Sequence, residues 1–591
     1  MAEGAAATAA GRVGAGRRRP LLSPAEAREA GWLSVDPRHR PPDARLATAL
    51  PATWALPEGL LPWRRMGGVT VVLAADPERA ATGLPALEAA LGPVRIAHAP
   101  DAPLRAALGL WLGRPLARAA EERREPWRSV RGLSRDRLAR GGALALLGLC
   151  GLLLLAPLVL AGALALLAAL TLLLGAGLKL LAAAATLRRD RSDEGAEVVP
   201  ARLPVITVIV PLYRERAVAG HLMARLAALD YPRDRLDLCL VLEDDDETTR
   251  EALLGAELPP WVRVVEVPEG RCRTKPRALN FAMAFARGSI VGVYDAEDCP
   301  SPGQLRQVAS LFARRGPEVA CLQGALDYFN ARRNWLARCF TLEYAAWFRV
   351  LLPGLARLGL VVPLGGTTLF LRREALEAVG GWDAHNVTED CDLGIALARA
   401  GYRTEIAPFA TLEEANARPW PWVRQRSRWL KGYALTWAVH MREPRALLRD
   451  LGPRRFLALQ VLVGGTLLQF ALAPLLWSFW LVPLGLPHPL AAVLPPGLLV
   501  ALSILFLAAQ ALDISYAWLG ARRAGRGRLA LWAPALQAYF PMATLAVYRA
   551  LWEACACPFR WDKTEHGLDA PPPPPLAPPR RLAVAARGGR A

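Results

Sequence analysis

At 591 residues the chain is long enough for about three or four domains, yet 53% of it is hydrophobic and only 21% charged, too apolar for a single water-soluble globule. The excess falls into a few long runs, so the chain reads as a membrane protein. Its formal net charge of +19 would suit nucleic acid, but the arginines gather beside the apolar runs and in both tails. Anionic membrane lipids explain that placement better, and no nucleic-acid partner is expected. Nine cysteines are scattered without CxxC or Cys/His ligand spacing, which indicates neither a zinc site nor a disulfide framework and suits reduced cytosolic thiols.

Residues 1–20 are Ala/Gly/Arg-rich without a contiguous apolar core, so a disordered basic tail is expected rather than a cleaved signal. Residues 21–125 predict a small α/β or α+β domain: a strand over Val69 to Leu73, a turn at Asp76-Pro77, a helix from Leu84 to Leu91 and a strand from Val94. Residues 141–187 are apolar apart from Lys179. One crossing takes about 20 residues, so the run holds two. Arginines flank both ends (Arg128 to Arg140, then Arg188, Arg189 and Arg191), placing both in the cytoplasm and predicting a helical hairpin that bends near Pro157 to Gly162.

Residues 200–440 alternate short apolar strands with helices, the pattern of an α/β domain with a doubly wound, mostly parallel sheet. Two of its strands stop at acids, Glu243-Asp244-Asp245-Asp246 and Asp295-Ala296-Glu297-Asp298, so both clusters reach the sheet edge where such folds bind ligands. Beyond them, residues 456–520 hold two more apolar runs around a proline-rich stretch. Residues 529–567 begin with an ambiguous segment that contains Gln537, Pro541 and Arg549 and is read as a helix lying in the interface, with a fifth crossing as the alternative. Residues 570–591 form a proline-rich, then basic, tail.

Carboxylates packed as closely as Asp295, Glu297 and Asp298 repel one another unless a cation sits among them. A cation held by one or two protein carboxylates is typical where substrate phosphates complete the shell. A nucleoside-diphosphate site is one reading; a solvated acidic turn is the other. Four further stretches accompany the acids: Lys275-Pro-Arg-Ala-Leu-Asn280, a glycine turn in Pro363 to Phe370, Thr388-Glu389-Asp390, and Gln425-Arg-Ser-Arg-Trp429. Together, over residues 203–440, they resemble the family 2 glycosyltransferases, specifically the processive cellulose synthase superfamily.

That resemblance implies a GT-A fold and assigns roles. Asp244 and Asp245 would accept from a nucleobase. Asp295 and Glu297 would hold Mg²⁺ or Mn²⁺, with Asp298 as a substitute ligand; the family more often has Asp where Glu297 stands. Asp390 would be the general base, although an acid capping the helix that follows is the competing reading. Gln425, Arg428 and Trp429 would grip phosphate and stack on a sugar, unless they are an interfacial Trp/Arg belt. Lys275 would be a second phosphate cation or merely a solvated helix start. Pro558 to Gly567 resembles the gating loop of cellulose synthases, with Lys563, Thr564 and His566 as candidates. Leu61 to Pro77 resembles the N-terminal domain of type II secretion and pilus-assembly ATPases, some relatives of which bind cyclic di-GMP; a docking domain is expected here.

The resemblance implies a multi-pass protein of the inner (cytoplasmic) membrane whose catalytic domain lies in the cytoplasm. It would transfer sugar from a nucleotide-sugar donor, a UDP-sugar, to a growing β-linked polysaccharide, with an oligomer or export partner completing a channel. Single addition to a lipid-linked acceptor is one alternative, and a degenerate docking protein is another.

Overall fold

The structure, a computed structural model, describes residues 23–188, 202–215, 218–254, 258–259 and 261–560. The expected tails and the gating-loop candidates Lys563, Thr564 and His566 lie outside the described residues. The N-terminal unit is a three-stranded sheet in the order β1 (Leu61–Met66), β2 (Val69–Ala74), β3 (Val94–His98). Gly67 and Gly68, at φ 57° and 84°, make the two-residue turn that folds β1 back antiparallel on β2. β3 joins β2 in parallel after the helices Pro77–Ala81 and Leu84–Leu91, and Asp76 caps the first by accepting from the Arg79 amide at 3.0 Å. β1 has no polar/apolar alternation, which is why it escapes a reading by pattern.

The large sheet has eight strands: β4 (Ile206–Leu212), β5 (Leu236–Glu243), β6 (Val262–Val267), β7 (Ile290–Val293), β8 (Cys299–Pro300), β9 (Val319–Tyr328), β10 (Leu369–Arg372) and β11 (Arg403–Glu413). Their order is β6-β5-β4-β7-β10-β9-β11-β8. The half β6-β5-β4-β7 is parallel, as expected. The other half corrects the expectation of a mostly parallel sheet: β10 runs antiparallel to both β7 and β9, and β8 antiparallel to β11. The physical reason is the connection after β9: the chain passes through the helices Trp335–Ala346 and Leu352–Arg357 and re-enters the sheet at the end where β9 left it, so β10 must run the opposite way. Gly292 permits that pairing, because a Cβ there would lie 2.6 Å from the Phe370 ring. Helices cover both faces. Phe281 and Met283 pack on one, Leu226 and Phe312 on the other.

Among the described residues, three helices are long and apolar enough to cross a membrane: Arg135–Leu155, Pro157–Leu187 and Pro496–Arg523. A fourth is formed if Pro444–Ala471 and Ala473–Leu481, bent by 66° at their break, count as one span. The run 141–187 breaks at Ala156, just before the proline expected at its bend. Between Gly527 and Ala556 the chain forms three short pieces, the longest Pro541–Ala556 with 16 residues, so none there has the length of a crossing. That last helix packs along Pro419–His440, where Lys431 meets Glu553 at 3.2 Å.

Buried charge ties the N-terminal unit to the α/β domain. Arg277, fully enclosed, donates to Glu121 at 2.9 Å and to Glu243, the last residue of β5, at 2.7 Å. Two residues beyond Glu122, Arg124 lies 3.4 Å from Asp392, and Ser129 donates to Asp383 at 2.7 Å.

Candidate active site

A cavity of about 770 Å³ opens where β4, β5 and β7 end and continues between the apolar helices. At its mouth β5 delivers Glu243, whose carboxyl burial pushes up to about 7 despite Arg277. The exposed Asp244 accepts from the Glu269 amide at 2.9 Å, and Asp245 pairs with Arg273 at 2.6 Å. Arg273 lines the cavity; Asp244 and Asp245 do not, and stand just outside it beside Glu243 and Arg273.

β7 delivers the second cluster. Lys275, at the start of the helix Lys275–Met283, donates to Asp295 and, at 2.7 Å, to the Gly366 carbonyl. Asp295 and Glu297 line the cavity, whereas Asp298 is fully buried behind them. One Asp298 oxygen accepts from the Asp295 amide at 2.8 Å and from the Thr367 hydroxyl, which holds the loop; the other has no hydrogen-bond partner. Burial and the Asp295 charge push Asp298 well above the carboxylate range. Glu413, ending β11, is pushed the same way by burial and then by Asp298, Glu297 and Asp295.

Among the described residues no three Asp, Glu, His or Cys side chains are grouped as a ready-made metal site. The donor chemistry nonetheless fits a hard cation that takes most of its shell from a diphosphate: two carboxylates face the cavity, mutual repulsion raises their neighbours, and one buried oxygen is orphaned.

The opposite wall is the start of the helix Glu389–Arg399. Glu389, Asp390 and Asp392 occupy its first turn, where the exposed amides and the helix dipole favour negative charge. Thr388 stands at the cap position but makes no capping bond; its amide donates to Asn386, which in turn donates to Thr436. Asp390 accepts from the Cys391 amide at 2.7 Å, and a Cβ on Gly366 would lie 3.3 Å from its other oxygen. A side chain at 366 would therefore crowd the carboxylate. The following Thr368 holds φ 54°, a strained value for a β-branched residue, fixed by its amide donating to Val293 at 2.8 Å. Burial raises Asp390 more than Lys275 and Arg428 lower it, and burial together with the Asp390 charge pushes Glu389 up to about 7.

Gln425, Arg428 and Trp429, on the helix Pro419–His440, all line the cavity. The Gln425 carbonyl and the Arg428 Nε are buried without a partner, and burial pulls the Arg428 guanidinium down. Both are poised for a ligand. Trp429 packs at a tilt against Tyr344 and Phe340, and Arg426 covers its ring at 4.8 Å.

The structure thus brings Lys275, Asp295, Glu297, Asp390, Gln425, Arg428 and Trp429 around one cavity, leaves Asp244 and Asp245 just outside it, and puts Asp298 behind the wall. Sequence reasoning did not single out Glu413, Tyr344 or Asp513. A charge inside an apolar run was the available signal for Asp513, and the end of a strand for Glu413.

The family model for glycosyl transferase family group 2 matches residues 290–508, from β7 into the helix Pro496–Arg523. That stretch is similar to the domain of family 2 glycosyltransferases. A beta-monoglucosyldiacylglycerol synthase of Synechocystis is 31% identical over 301 residues, 48% of this chain and 59% of its own length. A probable glucomannan 4-beta-mannosyltransferase of Arabidopsis thaliana is 26% identical over 219 residues, 36% of this chain and 39% of its own. The chain therefore spans less than two thirds of either relative. Among solved structures, a mannosyltransferase from Pyrobaculum calidifontis in complex with GDP-Man and Mn²⁺ is 22% identical, covering 61% of this chain and 98% of that one at a TM-score of 0.43.

Proposed function

We propose that the chain is a membrane-bound, inverting hexosyltransferase that moves a sugar from a nucleoside-diphosphate donor, a UDP-sugar, to a hydroxyl of a lipid or polysaccharide acceptor. The observation that carries this reading is the meeting, in one cavity, of the Lys275–Asp295 pair, Arg428 with its unpartnered Nε and the partly buried Asp390 against Gly366. The names of the relatives point to both acceptor classes.

Lys275 and Arg428 supply positive charge for the diphosphate, and Arg273 stands at the nucleoside end. Mg²⁺ or Mn²⁺ held by Asp295 and Glu297 would offset the charge that develops on the departing nucleoside diphosphate. Asp390 takes the proton of the acceptor hydroxyl as its oxygen bonds to the sugar C1 from the face opposite the diphosphate. The C1–O bond breaks, and its electron pair leaves on the β-phosphate. A carboxylate raised by burial is a stronger base than an exposed one, and Lys275 and Arg428 favour its ionised form. Gln425 and Trp429 bound the space left for the sugar. The arginine flanks favour a cytoplasmic catalytic domain in the inner membrane, and the N-terminal unit would act as a docking module fixed through Arg277 and Arg124.

Release of nucleoside diphosphate from UDP-glucose, UDP-N-acetylglucosamine, UDP-galactose and GDP-mannose by the solubilised protein, with Mg²⁺ or Mn²⁺, tests this. Release with one donor, absent in Asp390→Asn, is expected. Equal release by Asp390→Asn would refute the assignment of the base.

A further inference from the structure

The cavity does not end at Asp390. It runs on between the helices Pro157–Leu187 and Pro496–Arg523 and the bent pair, with apolar walls of Leu172, Leu178, Leu462, Leu476 and Phe506. One polar group is set into those walls. Lys179 donates to Asp513 at 2.5 Å, Gln469 and Gln510 line the same space, and the Tyr516 hydroxyl, on a residue only 6% exposed, has no partner. Lys179 lies about two turns inside the C-terminal end of its helix, on the order of 12 Å at 1.5 Å per residue. Charge at that depth is expensive in hydrocarbon, and it marks function more often than stability.

Two features define what would bind. The pair is neutral overall and presents an ammonium donor beside a carboxylate acceptor, with an unpaired phenol nearby. It thus suits a neutral ligand bearing hydroxyl and ester or ether oxygens rather than an anionic head. The leg is also close to the base. A Cβ on Gly365 would lie 3.3 Å from the Phe348 ring, and Phe348 packs in one cluster with Ala182, Leu462 and Tyr516. Gly365, Phe348 and Tyr516 all line the one cavity, so the loop beside Asp390 and the Tyr516 region face a continuous space. A sugar chain carries hydroxyls along its whole length, whereas the ion pair of these walls sits among leucines and phenylalanines, with Leu172, Leu476 and Phe506 offering no hydrogen bond.

On the transferase reading above, we propose that this leg is the acceptor subsite for a neutral, hydroxyl-bearing lipid. Its free hydroxyl reaches Asp390, its remaining head oxygens meet Lys179, Asp513 and Tyr516, and its chains lie against Leu172, Leu476 and Phe506.

The test is photolabelling of the full-length protein in detergent with a diazirine analogue of dioctanoylglycerol, followed by peptide mapping. Labelling needs no turnover. Label is expected in Pro157–Leu187 and Pro496–Arg523, falling at least fivefold in Lys179→Met/Asp513→Asn and about twofold in Tyr516→Phe, which removes only a hydroxyl. The swapped pair Lys179→Asp/Asp513→Lys keeps the charges together, and its recovery of label would exclude unfolding as the cause of the loss. Label elsewhere, label unchanged in both the double variant and Tyr516→Phe, or label displaced by cellobiose would each overturn the proposal. Absence of nucleoside-diphosphate release from every donor, with labelling intact, would instead overturn the transferase reading and leave the lipid site standing.

Discussion

The two sides of the helix Glu389–Arg399 carry aspartates two residues apart in opposite electrostatic states. Asp390 faces the cavity, where burial outweighs Lys275 and Arg428 and its carboxyl rises above the usual range. Asp392 faces the N-terminal unit. Burial would raise it too, but Arg124 and then His440, whose Nε2 lies 3.0 Å away, more than offset that and bring it below the usual range. The same residue type on the same turn is an under-compensated base where it partly faces the cavity and a saturated ion-pair member where it is fully enclosed. Burial alone does not make a carboxylate reactive; the missing countercharge does.

Substituting each aspartate separates the two states. Asp390→Asn is expected to lower transfer by about a thousandfold, in the range for loss of a positioned base. Its melting temperature should hold or rise, since a poorly compensated, partly buried carboxyl is removed; nucleoside-diphosphate release and a thermal melt check both. Asp392→Asn leaves Arg124 beside a neutral amide. Breaking a buried pair in this way costs about 3 kcal/mol or more. A clear drop in melting temperature is expected, with transfer by the protein that remains folded reduced less than tenfold. A thousandfold loss in Asp392→Asn at a temperature where it is folded would erase the distinction.

The pH dependence sharpens the contrast, because the signs differ. Asp392 has a depressed folded value, so its stabilisation is present above the ordinary Asp value of about 4 and is lost as pH falls through the folded one. Glu389, pushed up to about 7, works the other way: its contribution is greatest below the ordinary Glu value and disappears as pH rises toward 7. Transfer should gain with pH up to about 7 as the Glu389–Asp390 pair ionises, then level off. Glu389→Gln is expected to move that limb to lower pH, measured by rate profiles at saturating donor.

How much of this was open to a reader of the residues differs along the chain. The acids ending β5 and β7, the Thr388-Glu389-Asp390 start and the Gln425 to Trp429 run are local patterns, and each lines the cavity or stands just beside it. The antiparallel β10 was not open, because the direction of a four-residue apolar strand leaves no mark in its periodicity. Nor was the split between Asp390 and Asp392. It depends on Arg124, which is distant in sequence and belongs to the N-terminal unit. Lys179 showed as a lone charge in an apolar run, but its partner Asp513 and their shared place in the cavity come only from helix packing.

The smallest effect is expected where acids are exposed rather than enclosed. Asp245 stands just outside the cavity, its side chain 37% accessible, paired with Arg273 at 2.6 Å. Water screens such a pair, which is worth about 0.2–1 kcal/mol. If Asp245 orients Arg273 or the nucleobase, Asp245→Asn should raise the donor KM about two- to fivefold while kcat and melting temperature stay put. The same change at Asp392 acts on stability, and at Asp390 on kcat. One substitution of Asp by Asn would then have three separate readouts, sorted by whether water, a fixed cation or the ligand cavity faces the carboxylate. A rise in KM at Asp245 accompanied by an equal fall in kcat would place it with Asp390 instead.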